Sequence, residues 1–193
     1  VHRRSLIALL QRYGERSDNA AAVANRFASF VQGHEDCLLR SCVPGHITAS
    51  AWILSSDYAS CLLTHHRKLD RWLQLGGHVD GEEQVHLAAL REAREESGME
   101  AFEFLFPSAE LEPLDLDVHT IPANDKEPEH LHWDVRFLLR ALPDQPLQVS
   151  EESHALRWVP RNEVSQLTEE FSVLRLEERA RSWLAEGPVA RAT

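Results

Sequence analysis

Glu82, Glu83, Glu92, Glu95 and Glu96 crowd one short stretch of this 193-residue chain, with Arg91 among them. Glu92, Glu95 and Glu96 stand at i, i+3 and i+4, so a helix brings all three carboxylates to one face. Like charges at that spacing cost a helix about 0.2–0.5 kcal/mol per pair. A hard divalent cation reverses the sign of that arrangement. Magnesium takes oxygen ligands in an octahedron and keeps several waters, so two or three carboxylates plus a phosphate suit it. The chemistry this suggests is metal-assisted hydrolysis. Charge developing on a phosphate is neutralised, an attacking water is acidified, and a carboxylate takes its proton.

A second set of chemically able residues comes from two alternating segments. Residues 130–139 set Leu131, Trp133, Val135, Phe137 and Leu139 against His130, His132, Asp134 and Arg136. Residues 113–120 set Leu114, Leu116 and Val118 against Asp115, Asp117 and His119. A period of two predicts strands, and pairing through a loop at 121–129 would merge the polar positions into one surface. That surface is either a solvated sheet face or, with His78, a site that orients substrate, binds phosphate or holds a transition metal on His-x-His. His65-His66-Arg67-Lys68 is either a polar turn or a pair of cationic donors for phosphate. The candidate substrate contacts are thus Arg67, Lys68, His78, His130, His132 and Arg136.

The elements that must position these residues can be read along the chain. Helices are expected at 4–13, 18–33, 84–97, 161–167 and 170–184, with Asp18-Asn19 capping the second and Gly98 closing the third. Strands are expected at 46–55 and 58–65, joined by a hairpin at Ser55-Ser56-Asp57, and at 101–106, 113–120, 130–139 and 155–159. Residues 34–45 read as a loop. Strands interleaved with a few helices predict an α/β sandwich with a mixed sheet.

Composition narrows the function classes. Twenty basic residues against 31 acidic ones give a formal charge of -11, which argues against a DNA partner and suits a small substrate arriving with its cation. Three cysteines without a CxxC pair suggest a reduced, cytoplasmic protein; Cys37 and Cys42 are half a zinc site at most, or small buried thiols. No stretch has the length needed to span a membrane.

Gly77-x5-Glu83-x7-Arg91-Glu92-Ala93-x-Glu95-Glu96-x-Gly98-Met99 resembles the Nudix box of the Nudix hydrolases at every fixed position, with Ala93 where a bulkier aliphatic residue is expected. The box covers 77–99, and the family's strand–loop–helix frame extends the resemblance over roughly 45–165. The resemblance implies an α/β/α sandwich and a domain over 45–193; the box says nothing of residues 1–44, which their own spacing makes an N-terminal helical extension. It also implies magnesium- or manganese-dependent hydrolysis of a diphosphate in a nucleoside diphosphate linked to another group. On the matched positions, Glu92, Glu95 and Glu96 are the metal-binding carboxylates, Glu83 and Arg91 a structural ion pair, and Gly77 and Gly98 the residues that allow the turns at either end. The base is Glu95, Glu96 or, outside the box, Glu152, six residues before Trp158. Two other readings use the same scaffold: a ligand-sensing domain without turnover, and an isomerase with Cys61 as its cysteine. The N-terminal helices could dock on the core, cap the substrate site or form a homodimer.

Overall fold

Apolar side chains repeating at helical spacing decide the two N-terminal elements of the computed structural model, which describes residues 3–106, 111–125 and 127–186. Helix α1 (Arg4–Gly14) buries Leu6, Leu9, Leu10 and Tyr13, and α2 (Asp18–Gly33) buries Ala20, Ala24, Phe27, Phe30 and Val31. Helix α2 is capped one residue earlier than expected. Ser17, in extended conformation, accepts from the Ala20 N–H, so the serine and not Asp18-Asn19 closes the first turn.

Among the described residues the eight strands are β1 (Gly45–Leu54), β2 (Ser60–His66), β3 (Arg71–Leu73), β4 (Leu75–His78), β5 (Phe102–Phe104), β6 (Asp115–Ile121), β7 (His130–Ala141) and β8 (Ser153–Pro160). They form one sheet with β3-β2-β1-β7-β5 as its spine; β4 pairs with β1, β6 with β7 and β8 with β2. The pair β1–β7 is parallel and the others antiparallel, so the sheet is mixed, as expected. β6 and β7 pair through the anticipated loop, with Leu116 opposite Val135 and His119 opposite His132. β3 and β4 are not legible in the sequence: they hold three and four residues, and β4 is half glycine. β4 exists because its backbone completes a ladder with residues 48–51 of β1.

Helix α3 (Val85–Ser97) lies against one sheet face. The carboxyl end carries a 3-10 turn (Arg161–Glu163), then α4 (Val164–Leu167) and α5 (Phe171–Glu186), where one helix was expected over 161–167. The N-terminal helices dock: Phe30 stacks on Trp133 at 4.4 Å and Phe27 meets its edge at 5.1 Å. Trp133 and Phe137 are therefore core, in one cluster with Leu6, Phe27, Val173 and Leu176. Among the described residues, no helix is long and apolar enough to cross a membrane.

The polar face of β6 and β7 is buried at Asp115, Asp134 and Arg136, while His119 at its other end is exposed. Arg136 is 1% exposed, and Asp115 and Asp134 are likewise buried. The reason is α5, which crosses that face and brings Arg175 and Arg179 down onto Asp115, with Arg175 also on Asp117. Arg136 donates to Asp134 at 2.9 Å, to Asp117 at 2.9 Å and to Asp115 at 3.4 Å, and to the Ser172 carbonyl of α5 at 3.3 Å. A guanidinium so enclosed is a structural counter-ion, not the substrate contact its place on the strand suggested.

Candidate active site

Helix α3 forms because Val85, Ala88, Ala89 and Ala93 line one stripe that the sheet can bury. Ala93, where a larger aliphatic is usual, is fully buried in a cluster with Ala51, Ile53, Leu75 and Leu139, a small residue between helix and sheet. The helix ends at Gly98, whose φ of 71° is the left-handed cap that favours glycine. Its N–H bonds back to the Arg94 carbonyl, so the turn read at this glycine is present.

The three carboxylates share a face but not an environment. Glu96 is 6% exposed, the Glu92 side chain 15% and the Glu95 side chain 60%. Glu96 accepts the Gly76 N–H at 3.0 Å. Arg91 sits beside Glu92 at 2.8 Å and Glu95 at 3.1 Å, and donates to the His78 carbonyl at 2.8 Å. It thereby ties the helix to the end of β4. The role given to Glu83 as its ion partner remains a proposal; the Glu83 carbonyl accepts from Ser5 of α1 at 2.9 Å.

Gly77 does something different from permitting a turn. A Cβ added there would lie 2.6 Å from Oε2 of Glu92 and 2.7 Å from its carboxyl carbon. The strand can approach the carboxylate only because that position has no side chain. Gly77→Ala is expected to keep the fold, since the obstructing atoms are the far end of a flexible side chain. It should push Glu92 aside and lower kcat about 100-fold, the scale of an ångström's misplacement. Steady-state kinetics alongside circular dichroism checks this; wild-type turnover in a folded variant would show that Glu92 need not be held there.

Electrostatics mark Glu96 most strongly. Burial pushes its carboxyl up to about 8, opposed by the Gly76 N–H and assisted by the charges of Glu92, Glu152 and Glu95. Glu92 is raised too, first by burial, against the pull of Arg91, with Glu95 and Glu152 adding to the rise. Glu152, far away in sequence, is thus a neighbour of this group. Arg67 holds the segment that carries it: the Arg67 N–H donates to the Glu152 carbonyl at 2.9 Å and its guanidinium to the Ser153 carbonyl at 3.0 Å. Ser153 is pinned from the other side by Thr64 at 2.6 Å. Arg67 is accordingly a clamp on Glu152, while Lys68 beside it is exposed. The donor set of hard oxygens, crowded and partly desolvated, fits a divalent cation such as magnesium or manganese.

His78, His130 and His132 lie elsewhere. Successive residues of a strand face opposite ways, so β4 presents Gly77 to the carboxylates and His78 to the other side. There His78 joins His46, His130 and His132, with ring centroids 4.8–5.2 Å apart for neighbouring rings; His119 lies 5.4 Å from His132. His46 was missed. The signal available was the alternation His46, Thr48, Ser50 at the start of β1, on the same face as β7's polar residues.

The three cysteines are free and buried. Burial pushes the Cys61 thiol up to about 12, which makes it a poor nucleophile and removes the observation on which an isomerase reading rested.

The NUDIX domain pattern matches residues 44–184. Among solved structures, a NUDIX-family hydrolase from Clostridium perfringens is 25% identical with a TM-score of 0.52, covering 69% of this chain and 95% of that one. A MutT NUDIX hydrolase from Burkholderia pseudomallei is 23% identical with a TM-score of 0.51 and the same coverages. An Ap4A hydrolase from C. elegans is 20% identical at 0.50, covering 72% and 97%; at that identity the likeness is one of fold. No curated protein matches the chain. With the domain pattern spanning most of its length and the box running from β4 through α3 to its Gly98 cap, this chain belongs to the Nudix family.

Proposed function

We propose that this protein is a magnesium- or manganese-dependent pyrophosphohydrolase that cleaves the diphosphate of a nucleoside diphosphate linked to a further group. The observation that carries the reading is the buried Glu96 carboxylate, raised by burial and set among Glu92, Glu95 and Glu152 at the Gly76-Gly77 backbone. Glu92, Glu95 and Glu96 would hold the cation, which when bound supplies charge neutralisation to the diphosphate and acidifies water. Arg91 orients Glu92 and Glu95. Water attacks one phosphorus, the bridging P–O bond breaks, and the water's proton passes to Glu152, the carboxylate that comes from the turn before β8 and adds its charge to the group. Lys68, exposed next to the Arg67 clamp, is placed to meet the phosphates. The three buried, unpaired thiols suit a reducing cytoplasmic setting.

The test is a panel of nucleoside diphosphate compounds incubated with magnesium or manganese and analysed for released phosphate or nucleoside monophosphate. Cleavage that chelator abolishes supports the reading. No cleavage of any member would favour a ligand-sensing domain. Within an active panel, Glu152→Gln should lower kcat about 100-fold, at the lower end of what a general base contributes. If turnover and metal dependence are unchanged, Glu152 is not the base.

A further inference from the structure

We propose a second metal site, separate from the carboxylates, in which His46, His130 and His132 hold a zinc-class transition ion. One candidate ligand atom from each of the three lies within 4.8 Å of the other two, the arrangement of metal-capable side chains found among the described residues. Zn–N bonds are about 2 Å long, so small side-chain rotations bring all three imidazoles onto one ion.

Two observations point to a ligand and not to packing alone. Both ring nitrogens of His46, and Nε2 of His130 and of His132, are buried without a hydrogen-bond partner. Buried polar atoms in native proteins almost always have partners, and here four that lack them belong to three adjacent imidazoles. Next, His130 Nδ1 lies 2.8 Å from the Pro128 carbonyl. Only N–H can donate there, which leaves Nε2 as the bare lone pair, the orientation in which a backbone carbonyl fixes metal-binding histidines.

Donor type sets the ion. Three nitrogens and no carboxylate select zinc, cobalt, nickel or copper over magnesium or calcium, which want oxygen. Three protein ligands leave a fourth tetrahedral position for water. The site would join the first residues of β1 to those of β7, two strands that pair in parallel from Gly45 and Leu131 onward, with His46 opposite His132. It stands independently of the hydrolase reading, since no residue is shared.

The experiment uses the full chain without a polyhistidine tag, stripped with chelator, in wild-type form and as Glu95→Gln/Glu96→Gln. Each is equilibrated with zinc, gel-filtered in excess magnesium, and assayed for metal content. One zinc per chain in both proteins, with at least about tenfold weaker retention in His46→Ala and His132→Ala, is the expected result. Cobalt on the wild type needs no variant to fold: visible bands of a four-coordinate nitrogen site should appear, without the thiolate band that Cys37 or Cys42 would add, and zinc should erase them. No zinc retained by the wild type, retention unaffected by the histidine changes, loss in the carboxylate variant, or a six-coordinate or thiolate cobalt spectrum would each overturn the proposal.

Discussion

Glu96→Gln is expected to lower kcat by about 1,000-fold while leaving the protein folded and at least as stable as wild type in metal-free buffer. The two halves have one cause. Glu96 is buried among other carboxylates and accepts the Gly76 N–H. Gln keeps the shape and an oxygen for that bond but removes the charge that burial disfavours. The same charge is what a divalent cation at this site requires, and its loss falls in the range of a lost metal ligand or acid–base group. Magnesium should therefore raise the wild-type Tm and leave the variant's nearly unmoved. Thermal unfolding with and without magnesium, next to kcat on whichever panel compound is cleaved, tests both halves. A variant with kcat within tenfold of wild type would show that the box carboxylates do not carry the chemistry.

Arg136→Met should be the most damaging single change to stability, by about 3–5 kcal/mol in urea unfolding. Removing Arg136 leaves buried Asp134 without its cationic partner and takes one cation from Asp115 and Asp117, which keep Arg175. Asp134, Asp117 and Asp115 all lean on this guanidinium, and Asp134 also accepts from Thr48 and Ser50. The pH dependence follows from Asp117. Burial alone would raise its carboxyl, but the hydrogen bond from His119 and the Arg136 and Arg175 guanidinium groups outweigh that and hold it well below 3.8. A depressed carboxylate contributes stability above its unfolded value, and that contribution is lost as pH falls below 3.8 toward the folded one. The gap between wild type and Arg136→Met should thus be full at neutral pH and narrow once pH drops under about 4. A loss below about 1 kcal/mol, or a gap that widens in acid, would contradict the network's role.

The parts of this molecule legible in its sequence are those set by short-range periodicity. The face shared by Glu92, Glu95 and Glu96 follows from helical spacing, and the alternation in 130–139 announces β7. What stays hidden depends on which distant segment arrives. β4 is a strand only because β1 offers it a ladder. Gly77 looks like a turn residue until Glu92 is seen pressed against it. Arg136 reads as a surface cation because nothing local says that α5 will lie over it; Arg175 and Arg179, four apart on that helix, are the trace of this in the sequence. His46 is masked by the apolar run Ile47, Ala51, Ile53, and its company with His130 and His132 rests on a parallel pairing across more than eighty residues.

One consequence follows from the brevity of β4. Its consecutive residues Gly76, Gly77 and His78 serve, in turn, as donor to Glu96, as floor under Glu92 and as carbonyl partner of Arg91. The His78 ring stands with the histidines on the opposite side of the same four-residue strand. A shift of this strand would be felt on both of its sides, by the carboxylates and by the His78 ring. Whatever occupancy of one does to affinity at the other must be returned in equal measure, because linkage between binding free energies is reciprocal.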